Sequence, residues 1–175
     1  MFETILSEIT NNILTITLNR PEKLNALSPK LLAEVKTELE RAATNDDISV
    51  VIFKSAGRAF CVGYDLNEEH WITSQYPANH PEGVNREQDQ KDINALLDYW
   101  LDMWRFPKPI ICQVQGACLS GAGELLAVSD LVVASEEASF GHPAGRDLGI
   151  PRQSSFGRSR SGCAKQKKCS ILLAA

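Results

Sequence analysis

Gln115-Gly116-Ala117-Cys118-Leu119-Ser120-Gly121-Ala122-Gly123-Glu124-Leu125-Leu126 joins two stretches of different pattern. Before it stands Pro109-Ile110-Ile111-Cys112-Gln113-Val114, an apolar run that reads as a buried strand bounded by Pro and Gly. After it, Glu124 to Val128 reads as a helix. A strand that runs through small residues into a helix leaves the first turn's N–H groups without intrahelical partners. Glycine lets another molecule's polar atom approach such donors closely, and the helix dipole favours negative charge there. Glu124 sits one turn inside, so anion donors lie beside a possible acid/base. The plainer alternative stays open: small residues at a helix start also serve close packing, and Glu is ordinary in a first turn. Two phosphate cradles are excluded by spelling. Walker A needs Lys-Ser/Thr where Glu124 stands, and the Gly-x-Gly-x-x-Gly fingerprint fails at Leu126.

Composition narrows the class. A length of 175 residues suits one domain with a core of its own. With 43% hydrophobic and 23% charged residues the chain reads as globular, and a net charge of −4 gives no case for nucleic acid or an anionic membrane. The amino end lacks the basic start and apolar segment of a secretory signal, and no run reaches membrane-span length. Five cysteines without a Cys-x-x-Cys pair fit buried thiols in a reducing cytoplasm. The three histidines are too scattered to predict a metal site.

Taken in order, residues 2–8 and 13–19 read as strands joined at Asn11-Asn12. Ser28-Pro29 reads as cap and first position of a helix whose Leu31, Leu32, Val35 and Leu39 recur at helical spacing to about Ala43. Val50-Val51-Ile52-Phe53 is the next strand, and the alternation predicts an α/β layered domain. A second glycine-bearing turn, Ser55 to Leu66, follows; a donor from it can face the one near Gly121. Residues 67–92 read as a polar surface insertion. Ile93, Leu97, Trp100 and Trp104 mark an amphipathic helix, with the Trp pair read as core or subunit contact. Asp130 to Ala134 is a strand, and Ala138 to Pro143 leads into a loop. Residues 151–175 carry Arg152, Arg158, Arg160, Lys165, Lys167 and Lys168 with no acid. That tail reads either as a nucleic-acid or membrane-binding segment or as an ending foreign to the domain.

Three stretches together resemble the crotonase family, also called the enoyl-CoA hydratase/isomerase superfamily. They are Leu18-Asn19-Arg20-Pro21 with Leu24-Asn25-Ala26-Leu27, then Ala59-Phe60-Cys61-Val62-Gly63-Tyr64-Asp65-Leu66, then Gln115 to Leu126 with Ser129-Asp130. Phe140-Gly141-His142-Pro143 and Leu148-Gly149-Ile150-Pro151 continue the match. The resemblance implies a ββα-spiral core over residues 1–150 that binds an acyl-CoA thioester, with coenzyme A as part of the substrate and no separate cofactor or metal. It implies two backbone donors to the thioester oxygen, from Tyr64 and Gly121, and Glu124 as acid/base. It further implies substrate contacts from Lys23, Leu24, Ala26, Val62, Gly63, Asp65, Leu66 and Ser120, and a trimer or dimer of trimers. Hydratases of the family carry a second glutamate directly after the Pro of Phe-Gly-x-Pro, and here that residue is Ala144. His142, Arg146 and Asp147 lie close in sequence as candidates to replace it, with a purely structural role for each as the plainer alternative. Residues 151–175 do not resemble the family's further helices, so the expectation is a shortened or altered member. Its alternative function is to bind acyl-CoA or partner subunits without turnover.

Overall fold

The computed structural model describes residues 2–66, 86–142 and 170–174. Its main sheet has six strands in the order β1 (Ile5–Thr10), β2 (Ile13–Leu18), β3 (Val50–Ser55), β4 (Ile110–Val114), β6 (Leu131–Ser135) and β8 (Ser170–Ala174), and β5 (Ala117–Leu119) and β7 (Ser139–Gly141) form a second, two-stranded sheet. The first hairpin joins β1 (Ile5–Thr10) to β2 (Ile13–Leu18), with Thr10 opposite Ile13. Asn11 and Asn12 take φ of 51° and 63°, the left-handed pair that a two-residue hairpin turn requires and Asn tolerates. Pairing therefore runs right up to the turn, and β1 begins later than the predicted residue 2. Leu14, Ile16 and Leu18 alternate inward along β2.

Helix α1 (Pro29–Ala43) lies between β2 and β3 (Val50–Ser55), which pair in parallel. Ser28 caps it, its Oγ accepting from the Leu31 N–H at 3.2 Å, with Pro29 at the first helical position. Leu31, Leu32, Val35, Leu39 and Ala42 form the buried stripe. Burial of each large side chain stabilises the fold by about 1.5–3 kcal/mol. Ser28→Ala is expected to cost about 1 kcal/mol, read as a lowered midpoint in urea unfolding without a change in slope.

The next helix, α2 (Arg86–Trp104), starts well before the predicted residue 93. Residues 86–92 of the expected insertion are helical, and 67–85 lie outside the described residues. The early turns carry no apolar stripe to read. Polar pairs at helical spacing support them instead: Gln88 to Asp92 at 2.8 Å and Gln90 to Asn94 at 3.0 Å. Farther along, Trp100 and Met103 enter the core with Phe106 behind them.

Strand β4 (Ile110–Val114) continues the sheet in parallel between β3 and β6 (Leu131–Ser135). The chain does not then pass straight into a helix. It turns at Gly116, φ 60°, where a Cβ would lie 2.1 Å from the Arg58 carbonyl oxygen, and enters β5 (Ala117–Leu119). Strand β5 pairs in parallel with β7 (Ser139–Gly141), a segment expected to be loop. Both strands have three residues, too short for a periodicity to announce them. Helix α3 (Ala122–Val128) follows β5. From the basic tail, β8 (Ser170–Ala174) lies parallel to β6 at the sheet edge, and 151–169 lie outside the described residues.

Candidate active site

The second glycine-bearing turn is held between two neighbours. Cys61 bridges Cys118 of β5: its N–H donates to Ala117 O at 3.1 Å, and its carbonyl accepts from Leu119 N–H at 2.9 Å. On its other side, Leu27 donates to Gly63 O at 2.7 Å and accepts from Asp65 N–H at 2.9 Å. Tyr64, centred on that parallel bridge, therefore has its own N–H and C=O directed away from Leu27. Gly63 takes φ 98°, and a Cβ there would stand 2.7 Å from Ser120 Cβ and 3.2 Å from the Gly121 nitrogen. Only glycine permits both that conformation and that approach. The two glycine-bearing turns are thus in backbone contact, Gly63 against Ser120 and Gly121.

Gly121 is the N-cap of α3. Two donors expected to be open are used internally, Gly123 N–H by Ser120 O at 2.9 Å and Glu124 N–H by Gly121 O at 3.1 Å. The Gly121 N–H has no acceptor among the described residues. With seven residues, α3 supplies only a short dipole, so the individual amide matters more than the helix. The Tyr64 ring covers this glycine: a Cβ on Gly121 would be 2.5 Å from Tyr64 Cε2.

Glu124 is half-buried and accepts a short hydrogen bond at Oε2 from the Tyr64 phenol. Trp100 Nε1 donates to the same phenol oxygen at 3.0 Å. Burial raises the Glu124 carboxyl above its ordinary 4.5, while the Tyr64 bond and the nearby His142 oppose the rise. Burial, then the neighbouring carboxylate, pushes the Tyr64 phenol well above its ordinary 10. His142 follows β7 with a buried Nδ1 that has no partner among the described residues. Ala144, Arg146 and Asp147 lie outside the described residues.

The remaining candidates sit around these turns. Lys23 is exposed at the end of a 3-10 turn, Pro21–Lys23, Leu24 follows it at φ 50°, and Ala26 is buried. Arg20 binds this segment to the second turn through Ala26 O at 2.7 Å and an ion pair with Asp65 at 2.9 Å. Asn25 completes the lock, donating to Ala56 O and Ala59 O and accepting from the Arg20 N–H. Asp65 is 4% exposed, with its carboxylate paired to Arg20. Val62 and Ser120 are half-buried and Leu66 is exposed. Cys61, Cys112 and Cys118 are buried free thiols, and desolvation pushes Cys61 up to about 12, which leaves it a poor nucleophile.

Two features escaped the sequence reading: the contact of the Tyr64 phenol with Glu124, and the Trp100 indole behind it. Trp100 is core as expected, but it also carries a polar contact into the site.

The profile of the family described as Enoyl-CoA hydratase/isomerase matches residues 8–155. The chain belongs to the enoyl-CoA hydratase/isomerase family. A peroxisomal Delta(3,5)-Delta(2,4)-dienoyl-CoA isomerase of Arabidopsis thaliana is 32% identical over 138 residues, 79% of this chain and 50% of that protein. A probable mitochondrial enoyl-CoA hydratase of Dictyostelium discoideum is 33% identical over 142 residues, 81% of this chain and 46% of that protein. The crystal structure of an enoyl-CoA hydratase from Shewanella pealeana superposes with a TM-score of 0.73 at 30% identity. That match covers 85% of this chain and 52% of the other. The α/β crotonase fold is therefore established for this member of the enoyl-CoA hydratase/isomerase family. The chain spans about half the length of the curated relatives it matches. Among the described residues no helix is long and apolar enough to cross a membrane. The organelles named for these two relatives do not support the cytoplasmic expectation.

Proposed function

We propose that the chain is an acyl-CoA enzyme of the enoyl-CoA hydratase/isomerase type. The observation that supports this most is the backbone contact between Gly63 and Gly121, which brings the Tyr64 and Gly121 amides into one neighbourhood beside Glu124. When a proton or water adds beside a thioester, negative charge collects on the carbonyl oxygen as an enolate. Two preorganised N–H groups at that oxygen stabilise the charge where it develops, and each donor contributes about 3–4 kcal/mol in well-studied acyl transfer. Glu124 then moves the proton, its raised affinity bringing it closer to neutrality. Lys23, exposed beside Leu24 and Ala26, meets a phosphate of coenzyme A; Val62, Gly63, Asp65, Leu66 and Ser120 frame the thioester. The proposed assembly is a trimer or dimer of trimers, read by sedimentation. Neither a metal nor a separate cofactor has a part in this chemistry.

The test mixes the purified chain with crotonyl-CoA and follows the conjugated enoyl absorbance. Enzymatic loss of that absorbance is expected, and loss that persists unchanged in Glu124→Gln contradicts the role of Glu124. Ala144, standing where family hydratases carry a second glutamate, favours a second reading, binding of acyl-CoA or partner subunits without turnover. That reading predicts saturable thioester binding with constant absorbance.

A further inference from the structure

Three groups from separate elements meet in line: Trp100 on α2, Tyr64 after β3 and Glu124 on α3. Their chemistry gives the line a direction. An indole N–H can only donate. The phenol oxygen accepts that proton at 3.0 Å, and its own proton goes to Glu124 Oε2. Trp100 is 1% exposed, with the Tyr99 ring edge-on at 5.0 Å, so the indole has a fixed seat.

We propose that Trp100 and Tyr64 are positioning residues for Glu124: the indole sets the phenol's polarity, and the phenol holds Oε2 so that Oε1 exchanges the proton with substrate. This rests on the reading of Glu124 as acid/base. Oε1 takes no hydrogen bond among the described residues. The phenol is a fixed donor and not a second acid, because burial and the neighbouring carboxylate keep its proton on. A carboxylate free to rotate presents either oxygen in many directions; one tethered oxygen removes most of them, and orientation is a large part of the catalytic gain.

The test is the titration of Glu124 itself, followed by carboxyl carbon-13 NMR and assigned by the signal lost in Glu124→Gln. Among the described residues, the titratable groups facing Glu124 are Tyr64 and His142, with Tyr99 beyond Tyr64. The comparison is therefore repeated in His142→Gln, which removes the imidazole. Tyr64→Phe takes away the donor that favours the carboxylate and leaves burial opposed by His142 alone, so the Glu124 pKa rises by about one unit. Trp100→Phe leaves the phenol but frees its proton, and gives a smaller rise of the same sign. With crotonyl-CoA, Tyr64→Phe lowers kcat by about tenfold with KM little changed, and the acid limb moves to higher pH. An unmoved or lowered Glu124 titration in Tyr64→Phe overturns the proposal. Should Trp100→Phe not fold, Tyr64→Phe decides alone. Absence of turnover in the unaltered chain contradicts the enzymatic reading and leaves the titration free to judge the positioning.

Discussion

Glu124→Gln is expected to lower turnover of an enoyl-CoA thioester by about 10²- to 10⁴-fold, the range supplied by a positioned acid/base. Thioester binding is retained, because the amide keeps the carboxylate's shape and still accepts from the Tyr64 phenol through its oxygen. A parallel fall in kcat and kcat/KM is the signature of a group acting only in the transition state. The same substitution is expected to raise stability above neutral pH. Burial lifts the folded-state pKa of Glu124 above its ordinary value, so the folded chain binds that proton more tightly than the unfolded chain does. The associated stability is present below pH 4.5 and is lost as pH rises through the folded pKa. Glutamine has no charge to bury, so the variant's thermal midpoint exceeds that of the parent at pH 8 and approaches it at pH 4. Equal midpoints at pH 8 contradict the burial argument, whatever the kinetics show.

Asp65→Ala is expected to destabilise the fold by about 3–5 kcal/mol in urea unfolding, the cost of breaking a buried ion pair by removing one partner. Arg20 and Asp65 are 11% and 4% exposed, and their atoms stand 2.9 Å apart. Solvent screening at such a pair is slight, unlike at Lys36 and Glu40, both more than half exposed. The loss also reaches the site. Arg20 ties Ala26 to Asp65, and Leu27, the bridge partner of Tyr64, is bonded to Gly63 and Asp65 on either side of it. Thioester turnover in Asp65→Ala is therefore expected to fall below what the unfolded fraction alone explains, measured at a urea-free temperature where the variant remains folded. A cost under about 1 kcal/mol would place this pair with surface ion pairs instead.

The parts of the fold that local chemistry dictates could be read from the chain. Asn11-Asn12 specified a hairpin because both positions need positive φ, and Ser28-Pro29 marked a helix start that the Leu31 N–H confirms. The family resemblance implied one site for Gly63, Tyr64, Gly121 and Glu124, and the fold sets the Gly63 backbone against Ser120 and Gly121. Long-range polar contacts had no such signal. Tyr64 reaches Glu124 across 60 residues and Trp100 across 36, and neither spacing carries a period. Nothing in the sequence around Asp65 announces that its carboxylate pairs with Arg20, 45 residues away. Strands β5 and β7 were hidden by brevity, and the first turns of α2 by their polar side chains.

In the proposed mechanism the Gly121 and Tyr64 amides together grip one thioester oxygen. The direct measurement is the infrared band of a carbon-13-labelled thioester carbonyl, taken as a difference between bound and free ligand. Two fixed donors predict a single narrow band below the frequency of the same carbonyl in water. A bound carbonyl at or above its frequency in water would mean that the two amides do not hold it.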